Sequence, residues 1–170
     1  MKQPTPRDLF DRHHLPVFRF LRRLVGGHQQ AEDLTQEVFL RVVRGIESYR
    51  VEEREAAWVF TIARNVYRDH QRNAARRPEP VSLEVAGPVP IDPVQHLSRS
   101  IVEALQHLAE PEREAFLMRE VSGMSYVEIA AAVEATPDAV RNRIHRARGS
   151  LRRLLSTKLS KVRSNVLKEA

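Results

Sequence analysis

The stretch from Ser125 to Leu155 constrains the fold of this chain most, because it has the pattern of two helices joined by a tight turn. Ser125 and Glu128 form a capping box at the start of the first helix. Thr136 caps the second helix, and Pro137 follows where proline loses no helical hydrogen bond. Apolar residues recur at helical spacing on the inward faces: Ile129, Ala130, Val133, Val140, Ile144, Ala147 and Leu151. The stretch therefore predicts a helix-turn-helix.

The second of these helices is strongly cationic, and residues 139–167 contain no acidic side chain. Its outward positions are Arg141, Asn142, Arg143, His145, Arg146 and Arg148. Such a helix enters the major groove with its N-terminal end first, so the first three are candidate base readers and the last two are candidate phosphate contacts. A solvated basic face on a helical bundle is the alternative. We expect duplex DNA to be the ligand.

Composition narrows the class of protein. The 170 residues suffice for one ordinary domain or two small ones, and the net charge of +6 favours a polyanionic partner. No apolar run approaches the length of a membrane span, and the first ten residues lack the apolar core of a signal peptide. We therefore expect a cytoplasmic protein. The absence of cysteine excludes disulfides, cysteine nucleophiles and thiolate metal sites.

The helix predicted over residues 31–46 has two different faces. One is an apolar stripe, and the other is an acidic and amide surface with one exposed apolar residue, formed by Asp33, Gln36, Glu37 and Leu40. In a basic DNA binder, an acidic face should avoid the phosphates. It is a candidate protein-docking surface, with an ordinary solvated helix face as the alternative.

A further helix, predicted over residues 57–76, carries a continuous cationic face that includes Thr61, Arg64, Asn65, Arg68 and Arg72. Phe60 and Tyr67 flank this face. Aromatic rings beside arginines suit single-stranded nucleic acid, because bases stack on the rings while the arginines follow the phosphates. The alternative, that the aromatic side chains anchor the core, has equal weight for Phe60 and Tyr67 and is favoured for Trp58.

The remaining segments define two domains. We expect residues 1–7 to be a frayed tail, followed by a helix from Asp8 with a break or kink at Pro16 and an end at Gly26 and Gly27. Residues 49–56 are expected to form a loop. The proline-rich residues 78–95 predict a linker between domains at 1–77 and 96–170. No strand-type alternation of any length occurs, so the fold should be all-α.

Taken together, three strings resemble bacterial RNA polymerase sigma factors of the small extracytoplasmic-function group. They are AEDLTQEVFLRV, WVFTIARNVYRDHQR and the segment from Leu108 to Leu155, and they occur in the family's order around a short proline-rich linker. The resemblance covers residues 8–155. It implies two helical domains that bind core polymerase and promoter DNA.

The resemblance also implies roles for individual residues. Polymerase contacts would come from Asp33, Gln36, Glu37 and Leu40. The melted minus-ten strand would be bound by Tyr49, Arg50, Phe60, Arg64, Asn65, Tyr67, Arg68 and Arg72, with the loop at 49–56 forming a pocket for a flipped base. The minus-thirty-five duplex would be read by Thr136, Arg141, Asn142, Arg143, His145, Arg146 and Arg148. Relatives are commonly inhibited by a separate anti-sigma protein, which would be a further partner.

An enzyme is disfavoured by the sequence. The seven histidines show no HExxH spacing, and neither a phosphate-binding loop nor a nucleophile elbow occurs. We expect no catalysis, no cofactor, no metal and no small-molecule substrate. Two alternatives remain. One is an RNA-binding or antitermination protein, which would use Phe60, Arg64 and Tyr67 but would give the helix-turn-helix no evident role. The other is a stand-alone helix-turn-helix regulator whose first 77 residues sense a ligand or dimerise. The acidic helix face and the aromatic and basic helix of that region argue against a ligand pocket.

Overall fold

The computed structural model describes residues 3–50, 54–76 and 93–166, and this part of the chain contains helices and no strand. The helices are α1 (Pro6–Val25), α2 (His28–Gly45), a 3-10 turn (Ile46–Ser48), α3 (Glu55–Arg76), α4 (Pro93–Gln106), α5 (Glu110–Glu120), α6 (Tyr126–Ala132) and α7 (Pro137–Val166). The predicted all-α fold is confirmed. None of the described helices is long and apolar enough to cross a membrane. Most of the predicted linker lies outside the described residues, although α4 begins within it.

Helix α1 begins two residues earlier than the sequence predicted and ends at the predicted glycines, with Gly26 as its C-cap. Thr5 caps it, because the Asp8 backbone N–H donates to Thr5 Oγ1 at 3.2 Å while the Thr5 N–H donates to Asp8 Oδ2 at 2.8 Å. The expectation of a frayed tail over residues 1–7 is therefore wrong for residues 3–7. The expected break at Pro16 is also wrong, since the helix continues through it. Burial of Leu9, Val17, Phe20, Leu21 and Leu24 offsets the hydrogen bond that proline removes.

Helices α1, α2 and α3 form the N-terminal half of the core. Gly26 ends α1 in the left-handed region at φ +77°, which allows the chain to reverse at once into α2. Phe20 of α1 packs edge to face against Phe60 of α3, with ring centroids 5.4 Å apart. The apolar stripe of α2, including Val38 and Val42, is buried between them. This packing leaves the opposite side of α2 exposed.

The C-terminal half contains the predicted helix-turn-helix. Both halves of the capping box at Ser125 and Glu128 are present, and Thr136 Oγ1 accepts from the Ala139 N–H at 3.2 Å. Between α6 and α7 the chain turns through Glu134, whose φ is +51°. Every residue predicted to face inward on these two helices is buried. The local sequence signals therefore predicted both helix starts and the buried face.

The two halves also pack against each other. Helix α1 contacts α4 and α5, and α3 contacts α6. Three hydrogen bonds to backbone carbonyls cross the junction: Gln106 Nε2 donates to Leu24 O at 2.9 Å, Thr61 Oγ1 to Ala132 O at 3.4 Å and Ser122 Oγ to Pro16 O at 3.4 Å. The buried apolar residues of both halves form one continuous cluster. The sequence predicted two linked domains but not this contact between them.

The α6 capping box makes stability depend on pH. Hydrogen bonds from the Ser125 hydroxyl and backbone N–H hold the pKa of Glu128 below its ordinary value. A lowered pKa means that the folded chain binds this proton less readily than the unfolded chain. The stabilisation is therefore present above the ordinary carboxyl pKa and is lost as pH falls through the lowered value.

We predict that Ser125→Ala lowers the free energy of unfolding by about 1 kcal/mol at pH 7, because it removes the cap. The variant should also lose less stability than the wild type on acidification from about pH 5 to pH 3. Urea denaturation at both pH values measures this. Ser156→Ala, an exposed serine within α7, is the matched control and should stay within about 0.5 kcal/mol of wild type. Equal effects of the two substitutions would contradict the capping role.

Candidate nucleic-acid interfaces and protein-docking face

The cationic side of α7 is available at the surface. Val140, Ile144, Ala147 and Leu151 are buried against the rest of the C-terminal half. The helix is therefore fixed in rotation, and the predicted DNA-facing residues point outward. Thr136, Arg141, Asn142, His145, Arg146 and Arg148 are exposed, and Arg143 is half-buried.

Acidic neighbours position several of the α7 arginines. Arg141 NH1 lies 2.6 Å from Asp138 Oδ1, and its guanidinium lies 5.5 Å from the centre of the Tyr126 ring. Arg146 Nε lies 2.7 Å from Glu112 Oε1, and Arg148 pairs with Glu120. Glu112 and Glu120 belong to α5, so these two arginines are held along the side of α7 that faces α5. Arg141 instead sits in the first turns, where a base-reading residue is expected.

The cationic side of α3 is largely covered. Arg64 Nε lies 2.9 Å from Glu114 Oε2, and Arg68 Nε lies 3.2 Å from Glu114 Oε1 and 3.2 Å from Glu110 Oε1. Arg72 pairs with Asp69 within α3 and is exposed. Asn65 and Arg68 line an open polar groove of about 780 Å³ that also includes Glu110 of α5. The predicted cationic face exists, but carboxylates of the other half occupy part of it.

Arg41 of α2 extends the charged network beside this groove. Its NH1 lies 2.8 Å from Asp69 Oδ2, and its Nε lies 2.7 Å from Glu37 Oε1. Hydrogen bonds from Arg41 and then Arg72 hold the pKa of Asp69 below its ordinary value. Asp69 therefore stays ionised and keeps both arginines oriented along the groove.

Three aromatic residues of the predicted minus-ten surface are buried. Phe60 is 1% exposed and Tyr67 is 0% exposed, and Tyr49 packs its ring 5.1 Å from that of Trp58. A base can stack only on a ring that solvent can reach, so a stacking role for these residues does not fit this structure. Phe60 is a core anchor that contacts Phe20, and we remove it from the candidate interface. Arg50 is exposed, and residues 51–53 of the predicted loop lie outside the described residues.

Tyr67 is buried at the junction between the halves. Its hydroxyl accepts hydrogen bonds from Arg113 NH2 at 3.1 Å and from Gln71 Nε2 at 2.5 Å. Arg113 belongs to α5, so the tyrosine connects α3 to the C-terminal half. This contact accounts for the burial of a ring that the sequence placed beside the cationic face.

The acidic and amide face of α2 lies on the surface as predicted. Asp33, Gln36 and Leu40 are exposed, and Leu40 keeps 51% of its area accessible. Glu37 is half-buried through its ion pair with Arg41. This face is thus exposed, while the stripe on the other side of α2 is buried.

Sequence reasoning missed Glu114 as a functional candidate. It is 1% exposed. A signal was present, because Glu114 lies three and four residues before the buried Leu117 and Met118 and so shares their face. A charged residue within a buried helical stripe indicates a specific partner, and here the partners are Arg64 and Arg68.

Comparison with known proteins identifies the family. The family model for sigma-70 region 2 matches residues 9–77, and the one for sigma-70 region 4 matches residues 98–151. The RNA polymerase sigma factor CarQ of Myxococcus xanthus is 40% identical over 159 residues, which cover 90% of each chain. This chain belongs to the sigma-70 family of RNA polymerase sigma factors.

Two further relatives refine the assignment of this sigma factor. The extracytoplasmic-function (ECF) sigma factor SigE of Mycolicibacterium smegmatis is 34% identical over 90% of this chain and 62% of its own length. The sigma factor RpoE of Bartonella quintana, solved with the anti-sigma factor NepR, is 30% identical with a TM-score of 0.68, over 84% of this chain and 92% of that one. The sigma factor therefore falls in the ECF group. Region 2 corresponds to α1 to α3, and region 4 spans α4 to the middle of α7.

Proposed function

We propose that this ECF sigma factor directs promoter-specific transcription initiation through three separate faces, one for core polymerase and two for promoter DNA. The observation that carries the proposal is the exposed acidic and amide face of α2, within a region 2 match that precedes a region 4 match. A stand-alone regulator would have no use for such a face. We assign no catalytic step to the chain, and we place its action in the cytoplasm, where RNA polymerase works.

The polymerase-docking face consists of Asp33, Gln36 and Leu40, with Glu37 at its edge. An exposed leucine surrounded by carboxylate and amide groups has the composition of a small protein interface with an apolar centre and a polar rim. Its negative charge lowers the affinity of this face for DNA. Region 2 can therefore hold polymerase on α2 while α3 faces the promoter.

The duplex-reading face is the N-terminal part of α7. We assign base-edge contacts to Arg141, Asn142 and Arg143, and contacts with the backbone of the minus-thirty-five element to His145, Arg146 and Arg148, because five of these six side chains are exposed and Arg143 is half-buried. Thr136 leads into the helix at its positive end, which favours a phosphate there. Readout by α7 then fixes the position of region 4 on the promoter.

The strand-binding face is the cationic side of α3. We assign contacts with the phosphates and bases of the melted minus-ten element to Arg64, Asn65, Arg68 and Arg72, together with the exposed Arg50 before α3. Tyr49 and Phe60 are buried within the N-terminal half, so this proposal gives them no stacking role, whereas Tyr67 is covered by Arg113 of the C-terminal half.

A protein inhibitor is a further proposed partner. The relative from Bartonella quintana was solved with the anti-sigma factor NepR. We propose that a cognate anti-sigma protein binds this chain as well.

Reconstituted transcription tests the function. Purified protein is mixed with bacterial core polymerase and run over a size-exclusion column, and the complex is then used for run-off transcription from fragments of the source genome. We expect co-elution and a limited set of transcripts that core polymerase alone does not make. A folded chain that neither co-elutes nor changes the transcripts would overturn the proposal.

We predict that Arg141→Ala weakens discrimination of the minus-thirty-five sequence by about 1 to 3 kcal/mol, because one bidentate base contact is worth that much. Fluorescence anisotropy with the cognate duplex and a scrambled duplex measures the difference. Arg152→Ala, an exposed arginine later in α7, is the control and should weaken both duplexes equally. Equal weakening by Arg141→Ala would assign that residue to phosphate contact instead.

A further inference from the structure

We propose that Glu114 is an internal latch, which holds region 4 on region 2 by occupying the strand-binding face of α3. The closed sigma factor then binds duplex DNA through α7 but not the melted minus-ten strand. This inference rests on the proposed role of α3 in strand binding. It adds an element of regulation that lies within the chain itself.

The contacts of Glu114 all reach across the junction. Within the described residues, its carboxylate accepts hydrogen bonds from Arg64 Nε at 2.9 Å and from Arg68 Nε and NH2 at 3.2 Å each. Both arginines belong to α3, fifty and forty-six residues earlier in the chain. Glu110, one turn before Glu114, makes a second contact to Arg68. Helix α5 thus presents two carboxylates to the cationic side of α3.

Because Glu114 is buried, the free energy of the closed state depends on this contact. Glu114 is 1% exposed, and the side chain of Arg64 is 14% exposed. A carboxylate loses its hydration when it is buried, and the paired guanidinium groups compensate for that loss. Glu114 therefore depends on the closed arrangement for its partners, while Arg64 and Arg68 can exchange it for another oxyanion. Removing one partner leaves the other charge buried and unpaired, so loss of the pairing destabilises the closed arrangement.

A nucleic-acid phosphate is the natural competitor. Phosphate and carboxylate oxygens accept the same charge-assisted hydrogen bonds from guanidinium groups. The strand cannot reach Arg64 while Glu114 holds it, so strand binding and closure exclude each other. A strand that binds only the open state therefore shifts the equilibrium from the closed to the open sigma factor.

The duplex-reading face is not involved in the latch. Arg141, Asn142 and His145 remain exposed in the closed arrangement, and the contacts of Arg146 and Arg148 lie within the C-terminal half. Opening should therefore change single-strand binding without changing duplex binding. This difference separates a latch from a general increase in positive charge.

The connecting segment is long enough to allow opening. Residues 77–92 join α3 to α4, and sixteen residues can extend over about 55 Å. The two regions can thus separate completely without strain in the connection.

The test compares wild type, Glu114→Gln and Glu120→Gln at full length. Both substitutions remove one negative charge from α5, but Glu120 pairs with Arg148 inside the C-terminal half. Small-angle X-ray scattering measures compactness. Anisotropy measures binding to a fluorescent single-stranded oligonucleotide of mixed sequence and to a duplex of the same sequence.

We expect Glu114→Gln to increase the radius of gyration and to bind the single strand roughly tenfold more tightly, because hydrogen bonds to charged groups are worth about that factor. Its duplex affinity should match that of wild type, and Glu120→Gln should remain as compact as wild type with unchanged single-strand affinity. A Glu114→Gln protein as compact as wild type, with unchanged single-strand affinity, would overturn the latch.

A variant in the other half covers the case in which Glu114→Gln does not fold. The double substitution Arg64→Gln with Arg68→Gln removes the partners of the latch from α3 and should also expand the protein. If it expands the protein and still binds the single strand more tightly than wild type does, the latch stands and the proposed strand-binding role of Arg64 and Arg68 fails. If the double variant stays compact, the latch fails.

Discussion

Replacing Asp33 and Gln36 with alanine together should reduce the affinity of the sigma factor for core polymerase by at least about 100-fold, and promoter-specific transcription should disappear with it. Truncation of a hot-spot residue near the centre of an interface costs about 2 kcal/mol or more, and the proposed docking face assigns that role to Asp33 and Gln36. Neither side chain supports the core, because both are exposed and Asp33 accepts its described hydrogen bond from Gln29 on the same helix. The free energy of unfolding should therefore change by less than about 0.5 kcal/mol per substitution.

Co-elution with core polymerase and urea denaturation measure the two quantities on the same preparation. Asp11→Ala is the control, since Asp11 lies on α1 with a side chain that is 67% exposed and carries the same charge. The control should keep full polymerase affinity. A double variant that still co-elutes at wild-type concentrations would remove the docking role from α2.

Phe60→Ala should destabilise the protein by about 3 to 5 kcal/mol, which is the usual cost of removing a buried aromatic ring. Phe60 is 1% exposed and packs against Phe20, so the substitution leaves a cavity between α1 and α3. A loss of this size is a large fraction of the stability of a chain of this length. The expected result separates a core residue from a base-stacking residue.

Urea denaturation of Phe60→Ala and Phe10→Ala provides the measurement. Phe10 is also a phenylalanine near the core, but 44% of its area is exposed, so its loss should cost clearly less. If Phe60→Ala unfolds at nearly the wild-type urea concentration and binds single strands poorly, the ring belongs to the DNA interface after all.

Local signals made most of the helices predictable. The capping boxes at Thr5 and Ser125 depend on residues three positions apart, and only the second was recognised from the sequence. The helix-turn-helix was predicted because cap, proline and apolar spacing agree within 31 residues, Ser125 to Leu155. Pro16 was misjudged because a propensity rule describes an isolated helix, whereas burial along α1 stabilises the helix on both sides of the proline.

The arrangement of the two halves could not be predicted in the same way. Glu114 and Arg64 are fifty residues apart, and no periodic pattern connects them. The positive charges of Arg64 and Arg68 indicated an anionic partner, but a phosphate and a carboxylate can both pair with a guanidinium group. Tyr67 was ambiguous for the same reason, since its burial depends on Arg113 from the other half.

Helix α2 divides its residues between two tasks with little overlap. The stripe that includes Leu34, Val38 and Val42 is buried and stabilises the fold. Asp33, Gln36 and Leu40 are exposed and do not pack in the core. Substitutions on the surface side therefore carry almost no folding penalty. With the docking role that we propose for this side, substitutions there would change the affinity for polymerase while the melting temperature stays constant. Helix α2 would then be a suitable place to engineer sigma factors that compete for the same polymerase with graded strength.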